Sequence, residues 1–336
     1  MLLICSPRFE EHVTPPGHPE RIERAHVFNS VATRWAKAGG RTLAPRAATR
    51  QELARVHDVA YLEKIEAITG HAVMLDEDTF TSPESVEIAD LAAGAVVLAA
   101  EHALSSREPT FALVRPPGHH AERDRAMGFC FYNNVGVAAA FARARGTARV
   151  AIVDIDVHHG NGSQWMFYDD PSVLYISSHQ FPFYPGTGAA DETGTGAGRG
   201  FTVNIPLEAG ANDADYFLAY SRLVVPVLDQ FAPELTIVSA GYDAHHMDPL
   251  ASMRMSSDGY GAIVGAVCQV AERHGAIAFA TEGGYDLNAL EACLEATFAA
   301  IRGKVAASYP DPSTPAPRGE RAIAAVRAAQ AEFWRL

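Results

Sequence analysis

Five short apolar runs recur along the chain, separated by stretches whose apolar positions repeat with a helical period. The runs are "FALV" (111–114), "RVAIVDI" (149–155), "VLYIS" (173–177), "LTIVSA" (235–240) and "AIAFAT" (276–281), and "FTVNIPL" (201–207) is a candidate sixth. Apolar runs without strict alternation are typical of parallel strands that are covered on both faces. The repeated strand–helix–strand order therefore predicts a three-layer α/β fold, with a mostly parallel central sheet and helices on both faces.

Three helices are predicted before the first of these runs. Residues 18–40 have helical periodicity and end at a Gly-Gly pair. Thr49 and Glu52 have the spacing of a capping box, which predicts a second helix over 49–68. A Ser-Pro pair suits the N-cap and first helical position of a third helix over 82–104.

Two stretches interrupt the alternation of strands and helices. Residues 182–200 form a long Gly-rich segment that lacks the Gly-Lys-Ser/Thr of a phosphate-binding loop, so we predict a functional or disordered loop. Residues 308–319 are Pro-rich and precede an Ala-rich amphipathic helix. We predict one catalytic domain over 1–305, with 306–336 forming a linker and a C-terminal helix packed on or extending from that domain.

The chain of 336 residues is acidic, since 27 Lys and Arg against 40 Asp and Glu give a net charge of −13. This balance argues against nucleic acid as a partner, because nucleic-acid binding needs a basic face. It is compatible with cationic substrates such as lysine side chains or polyamines.

The sequence pattern also argues against a membrane partner. No apolar run approaches the length of a membrane span, and the N-terminal apolar run is too short for a signal peptide. The four cysteines show no CxxC pairing and no disulfide-like density, which favours a reducing compartment; they are Cys5, Cys130, Cys268 and Cys293. We therefore expect a cytoplasmic protein.

Polar residues of the types used in catalysis follow each of the five apolar runs. In an open parallel sheet, ligands bind beyond the carboxyl ends of the strands, so these residues are expected to meet at one site. In chain order they are His119 and His120; Asp156, His158 and His159; Ser178 and His179; Asp243, His245 and His246; and Glu282, Tyr285 and Asp286.

Three of these residues form a candidate metal site. Asp156 and His158 lie two positions apart and project to one side of an extended chain. With Asp243 they give two carboxylates and one imidazole, which leaves coordination positions open as a catalytic zinc requires. The alternative is that each acid caps a helix or pairs with arginine, but burial of several carboxylates needs a compensating charge.

The adjacent histidines are candidates for proton transfer. His119 and His120 follow a rigid "PPG" turn, and near a metal site one could take a proton from water and deliver it to a leaving amine. Such a histidine needs an orienting partner, for which Asp154 and Asn161 are both candidates. The alternative is a histidine pair that caps a helix.

Aromatic residues and one cysteine complete the candidate site. Tyr285 follows two glycines and could direct its hydroxyl to a developing oxyanion, although a packed aromatic in a turn is the simpler alternative. Phe129, Phe131 and Tyr184 could line an apolar channel or lie in the core. Cys130 is expected to be an inert buried thiol.

Four motifs in this order resemble the histone deacetylase superfamily over residues 1–305. They are "RPPGHHAERDRAMGFCFYNNVGVAAAFA", "VDIDVHHGNGSQWMFY", "SAGYDAHHMDPLA" and "EGGYDL", and "GHPERIERA" near the N-terminus also fits. The family includes zinc-dependent lysine deacetylases, acetylpolyamine amidohydrolases and bacterial deacetylase-like amidohydrolases on an arginase-like α/β fold.

The resemblance implies a role for each matching residue. His120 would be the general base and acid, His119 would pair with Asp154, and Tyr285 would hydrogen-bond the substrate carbonyl. Phe129 and Tyr184 would flank a tunnel for acyl-lysine. The remaining implied residues are Asp156, His158 and Asp243 for zinc; Gly128, whose carbonyl would accept the substrate amide N–H; and Asp154, Asp156, His158, Ser177 and Ser178 for a structural potassium ion.

Three positions bear on specificity within that family. Asn161 stands where one large branch of the family has Asp and the class II branch has Asn, so we expect a less basic His120 that is free to act near neutral pH. Tyr184 stands where many members have Phe. Leu250 stands where a polyamine-selective relative carries Glu, which tilts the expected substrate towards acyl-lysine.

The resemblance favours a zinc-dependent amidohydrolase that removes acetyl or short acyl groups from acyl-lysine peptides or proteins. The alternative is an acetylpolyamine amidohydrolase acting on a small acylated amine, which the acidic balance supports and the lack of an obvious acidic rim opposes. A catalytically inactive acyl-lysine-binding scaffold would lack a ligand, a tandem histidine or the tyrosine, and all are present. The sequence leaves open a homo-oligomer and the choice between zinc and iron(II).

Overall fold

The computed structural model describes residues 1–304 and 314–336. In these residues eight strands form one sheet in the order β2-β1-β3-β8-β7-β4-β5-β6, and every neighbouring pair is parallel. The predicted α/β class is confirmed. The strands are β1 (Leu2–Ile4), β2 (Arg41–Leu43), β3 (Thr110–Ala112), β4 (Val150–Asp154), β5 (Val173–Gln180), β6 (Thr202–Leu207), β7 (Leu235–Ala240) and β8 (Ala276–Thr281).

Helices connect successive strands and cover the sheet. Short 3-10 helices occur at Pro7–Glu11 and Gly196–Gly198, and a π-helical turn at Tyr220–Val224 joins α7 to α8. The α-helices of the described residues are α1 (Glu23–Lys37), α2 (Arg50–Leu53), α3 (Val59–Ala67), α4 (Ser85–Ser106), α5 (Asn134–Ala144), α6 (Asn161–Met166), α7 (Asp213–Ala219), α8 (Val225–Phe231), α9 (Ser257–His274), α10 (Leu287–Ile301) and α11 (Pro317–Gln330).

The continuous apolar character of the strands follows from burial of both faces of the sheet. In β4, Val150 and Ile152 join the core beneath α4 and α5, whereas Ala151 and Val153 join the core beneath α9 and α10. Successive side chains of a strand point to opposite faces, so a strand covered on both sides has no polar face.

The short strands at one edge of the sheet were not predicted. β1 and β2 have three residues each and no distinctive hydrophobic pattern, and they are held by pairing with neighbouring strands.

The prediction of one continuous helix over 49–68 is wrong. The capping box of Thr49 and Glu52 opens α2, but α2 ends after one turn. The helix is interrupted between α2 and α3, where the backbone N–H of Asp58 bonds to the Arg123 carbonyl instead of a helical partner.

Helix α4 differs from the prediction in its first residue and in the length of its apolar stretch. It begins at Ser85 with Glu84 as N-cap, so Ser82 is not the cap. By length and composition α4 could cross a membrane, so the expectation that no apolar run approaches that length is wrong. Its most apolar window is 67% buried inside the fold, where it packs on α5 and β8.

The C-terminal helix α11 lies against the same sheet. It contacts α7 and the edge strand β6, and the Gln330 side-chain amide donates to the Thr202 carbonyl at 2.7 Å. Residues 305–313, which include part of the expected Pro-rich linker, lie outside the described residues.

Candidate active site

Two neighbouring strands, β4 and β7, carry the candidate metal ligands just beyond their carboxyl ends. The Nδ1 atom of His158 lies 3.2 Å from Asp156 Oδ1 and 3.1 Å from Asp243 Oδ2. One ligand atom from each residue lies within 4.8 Å of the others, and both carboxylates are fully buried. This is a donor set of two acids and one imidazole, and it can hold one divalent ion.

Glycines make room for these acids, and backbone N–H groups hold them. A Cβ at Gly241 would lie 2.0 Å from Asp156 Oδ2, and a Cβ at Gly283 would lie 2.1 Å from Asp243 Oδ2. The Gly283 N–H donates to Asp156 Oδ2 at 2.8 Å, and the Val157 N–H donates to Asp243 Oδ1 at 2.9 Å. The other oxygen of each carboxylate faces the His158 ring, and Asp156 Oδ1 also accepts the His158 backbone N–H at 2.9 Å.

The electrostatics of this cluster favour a bound cation. Burial and the neighbouring Asp156 carboxylate raise the pKa of Asp243 to about 7. Burial lowers the pKa of His158, but its hydrogen bonds with Asp156 and Asp243 outweigh this and raise it to about 10. Two buried carboxylates this close together need a neighbouring positive charge, which a protonated His158 or a bound cation supplies.

The tandem histidines face this cluster, and each has a different partner. His119 Nδ1 lies 3.0 Å from Asp154 Oδ2, and His120 Nδ1 lies 2.8 Å from Asn161 Oδ1. The two rings are 4.1 Å apart, and the His120 ring is 6.0 Å from that of His158. Both sequence candidates for an orienting partner are therefore used, one for each histidine.

The surroundings of the two histidines give them different charge states. Burial opposes a charged His119, but the carboxylates of Asp154 and Asp156 hold its pKa well above the ordinary value. Burial and the neighbouring His119 and His158 hold the pKa of His120 well below the ordinary value. A neutral His120 donates from Nδ1 to Asn161, which leaves its Nε2 lone pair free to accept a proton.

Tyr285 is held in the site by groups that the sequence analysis did not identify. Its backbone N–H donates to Asp248 Oδ2 at 2.6 Å, and the Arg24 guanidinium lies 5.1 Å from its ring. Gly284, at a φ of +117°, makes the turn before it. Burial holds the pKa of Tyr285 well above its ordinary value, so its hydroxyl remains a hydrogen-bond donor at neutral pH.

A narrow cavity of 200 Å³ leads to the histidines and Tyr285. The rings of Phe129 and Tyr285 are 5.8 Å apart, and those of Tyr184 and His120 are 5.1 Å apart. The cavity is lined by Asp78, His120, Gly128, Phe129, His158, Phe183, Tyr184, Leu250 and Tyr285. The four residues expected to contact substrate, which include Gly128 and Leu250, thus lie in its wall.

Two residues of the cavity wall were not predicted from the sequence. Phe183 stacks on the His158 ring at 5.5 Å, and the repeated aromatics of "FPFYP" were the available signal. Asp78 comes from the loop before α4, where the acidic run "DED" was the signal. Asp78 thus adds one acidic side chain to a site for which the sequence showed no obvious acidic rim.

A buried ion network behind Tyr285 was also missed. Arg24 donates to the Gly284 carbonyl at 2.8 Å, to the Glu282 carbonyl, and to Glu20 at 2.9 Å. Arg115 makes two bonds of 2.7 Å to the Glu20 carboxylate. The motif "GHPERIERA" contains two of these residues, but their partners are too distant in sequence for spacing to reveal them.

The expected potassium residues lie beneath the histidines. Asp154 and Ser177 are direct neighbours in the register of β4 and β5, and both are fully buried. The Ser177 hydroxyl is 2.8 Å from His179 Nδ1, and the Ser178 hydroxyl is 3.0 Å from the Tyr220 hydroxyl. The other two expected potassium residues, Asp156 and His158, follow Asp154 in the chain just after β4.

Several strand-end residues have other partners. His159 bonds to Thr187 and Gln164, and His179 bonds to the Gly188 carbonyl, so both hold the Gly-rich loop. His245 lies beside Ser257, and Asp286 caps α10. The Cys130 thiol is buried, its pKa is raised by burial, and it donates to the Gly128 carbonyl.

Sequence comparisons identify relatives of this chain over most of its length. The histone deacetylase domain matches residues 18–301. A probable deacetylase of Archaeoglobus fulgidus is 36% identical over 291 residues, which cover 85% of this chain and 81% of that protein. The histone deacetylase-like amidohydrolase of Pseudomonas aeruginosa is 41% identical over 287 residues, which cover 81% of this chain and 74% of that protein.

A plant relative extends the similarity to the whole fold. Histone deacetylase 15 of Arabidopsis thaliana is 38% identical over 347 residues, which cover 99% of this chain and 61% of that longer protein. The crystal structure of the HDA15 HD domain matches with a TM-score of 0.91 at 36% identity and covers 99% of this chain and 95% of that one. By sequence and by fold, this chain belongs to the histone deacetylase family.

Proposed function

We propose that the protein is a zinc-dependent amidohydrolase that removes acetyl or short acyl groups from acyl-lysine side chains. The observation that carries the proposal is the meeting of three candidate metal ligands, two differently charged histidines and Tyr285 at the end of one narrow cavity. Its relatives include proteins described as deacetylases and as a deacetylase-like amidohydrolase.

Asp156, His158 and Asp243 would hold the metal ion. When bound, such an ion supplies Lewis acidity to an acyl carbonyl and to water. Zinc accepts two carboxylates and one imidazole while keeping a position open for substrate, and iron(II) is the second candidate for the same ligands.

The remaining residues would transfer protons and stabilise negative charge. His120, whose depressed pKa keeps it neutral, would accept the proton of the attacking water at Nε2. The Tyr285 hydroxyl would donate to the acyl oxygen as that oxygen gains negative charge. His120, protonated in that step, would then deliver the proton to the departing lysine amine, and Asp154 would keep His119 cationic throughout.

A potassium ion is the expected occupant of the oxygen-rich site under the histidines. Asp154 and Ser177 would contribute side-chain oxygens, and Asp156, His158 and Ser178 would contribute carbonyls. Support comes from the full burial of Asp154 at the strand end, where a cation would compensate part of its charge.

The shape of the cavity supports acyl-lysine over a polyamine. A channel walled by Phe129, Tyr184 and Leu250 fits the aliphatic stem of a lysine side chain and disfavours a second ammonium group near Leu250. Asp78 in the cavity wall supports the alternative of an acetylpolyamine substrate, because its carboxyl group is the kind that pairs with a second ammonium group. Comparing kcat/KM for acetylspermidine and for an acetyl-lysine peptide decides between them, and a higher value for acetylspermidine would overturn the acyl-lysine assignment.

The Tyr285→Phe variant tests the proposed chemistry. Loss of the hydroxyl should lower kcat by about 10²–10³-fold, because one hydrogen-bond donor to the developing oxyanion is removed. Zinc content should stay unchanged, since the candidate metal ligands are Asp156, His158 and Asp243. Assays of zinc-loaded protein on an acetyl-lysine peptide, with metal analysis of both proteins, make the measurement. Undiminished turnover in the variant would remove Tyr285 from the mechanism.

A further inference from the structure

Glu282 is a fully buried carboxyl group that the proposed mechanism leaves without a role. It follows directly after β8, and its side chain has no exposed surface. Within residues 1–304 and 314–336, no Lys or Arg side chain forms an ion pair with its carboxylate. Burying a carboxylate costs free energy unless hydrogen bonds satisfy it, so the partners that bond to Glu282 indicate its role in the structure.

The bonds of Glu282 reach the turn that presents the tandem histidines. Its Oε2 atom accepts the backbone N–H of Gly118 at 2.6 Å and that of His119 at 3.2 Å. Its Oε1 atom accepts the Ser239 hydroxyl at 3.0 Å from the end of β7. The carboxylate therefore links the ends of two central strands to the backbone of the first catalytic candidate.

The turn has few other means of fixing these N–H groups. The two residues before Gly118 are prolines, which have no N–H to donate. The other contacts of His119 lie elsewhere: its ring bonds to Asp154, and its carbonyl accepts the Ser163 N–H at 3.1 Å. Glu282 thus fixes the backbone on the N-terminal side of His119.

We propose that Glu282 is a positioning residue that sets the backbone of Gly118 and His119, and through it the placement of both tandem histidines. The inference rests on the proposed amidohydrolase function. A displacement of about 1 Å in a catalytic group can lower the rate by about 10²-fold, so a carboxylate that never touches substrate can still control turnover.

Three substitutions of Glu282 separate positioning from a general structural role. Glu282→Gln keeps an acceptor for the two N–H groups, and its amide nitrogen can donate to Ser239. Glu282→Ala removes the contact. Glu282→Asp keeps the charge but shortens the arm by one methylene, and it provides a test if the alanine variant does not fold. Ser239→Ala is the matched control, because it removes one partner and leaves the contact with the turn.

The measurements are kcat and KM on an acetyl-lysine peptide, zinc content and the melting temperature. We expect the alanine variant to lose about 10²-fold in kcat and the aspartate variant about tenfold, with KM and zinc content unchanged. The glutamine variant should recover kcat to within about tenfold of the wild type, and Ser239→Ala should stay within about threefold.

The outcomes that overturn the proposal are distinct from failure of the function. An inactive wild-type enzyme refutes the amidohydrolase function before any variant is made. With an active wild type, an aspartate or alanine variant of unchanged kcat overturns the positioning role. A glutamine variant as slow as the alanine variant, or a loss confined to KM or to zinc content, overturns it as well.

Discussion

The charge states of the two tandem histidines follow from their burial and from the charges around them. His119 bonds to the Asp154 carboxylate and is favoured as a cation, whereas His120 is buried beside His119 and His158, bonds to an uncharged amide, and is favoured as the neutral base. The sequence could predict that these residues meet, because strand ends converge in a parallel sheet. It could not predict Asp248 or Glu282, since their partners are backbone N–H groups from distant segments.

His57 gives a test of the same principle away from the metal ligands. It is buried, its Nε2 accepts the Asn133 N–H at 3.0 Å, and its Nδ1 donates to the Glu122 carbonyl at 2.9 Å. Burial lowers its pKa to about 4, below the unfolded value near 6.5. The unfolded chain therefore binds a proton that the folded protein excludes, so stability is lost as the pH falls from about 6.5 to 4.

We expect His57→Gln, which does not titrate, to remove this part of the pH dependence. The variant should be less stable than the wild type at pH 7.5, and the difference should narrow by up to about 3 kcal/mol as the pH approaches 4. Urea unfolding of both proteins at pH 7.5, 6 and 5 makes the comparison, with all other histidines serving as a common background. A constant difference across that range would contradict a neutral buried His57.

At the scale of elements, the apolar runs that form the central strands were the most predictable part of the chain. β7 and β8 have the bounds that the sequence predicts, 235–240 and 276–281. The three-residue strands β1 and β2 and the break between α2 and α3 were not predictable, because tertiary hydrogen bonds determine them. Local pattern thus identified elements whose burial is continuous and missed those held by distant partners.

Helix α11 depends on one such distant partner. The Asp215 carboxylate is buried and accepts the backbone N–H groups of Arg318 and Gly319 at 2.9 and 2.8 Å, at the first turn of α11. Asp215→Ala should release this helix and lower the free energy of unfolding by about 2–4 kcal/mol, because the two bonds to α11 and the bond from the Asn212 N–H at the start of α7 are lost. Hydrogen exchange should show faster exchange of the α11 amides.

The exposed ion pair between Arg321 and Glu208 supplies the control for this prediction. It also joins α11 to the body of the protein, but it lies in solvent. Arg321→Ala should change little, since exposed pairs contribute little to stability. Equal protection of the α11 amides in Asp215→Ala and in the wild type would show that the helix does not depend on Asp215.

At the scale of the whole molecule, the order of the strands creates the site. β4 and β7 are separated by two strands in the sequence but are neighbours in the sheet, so their ends bring Asp156 and His158 to Asp243. Local sequence pattern does not encode strand order, and the family resemblance supplied that part of the expectation. A cation bound here joins two segments about 85 residues apart.

Because the ligands come from two central strands, metal removal should destabilise the entire fold. Chelation leaves Asp156 and Asp243 buried side by side, and a ligand that binds only the folded state contributes about 4 kcal/mol when present at 1,000 times its Kd. We expect the melting temperature to fall on the order of 5 °C after chelation and to return when zinc is added. In Asp243→Asn the same treatments should leave the melting temperature unchanged, because one anionic ligand is missing. Equal melting temperatures of the chelated and zinc-loaded wild type would mean that no ion bridges these strands, however well the three side chains are arranged to hold one.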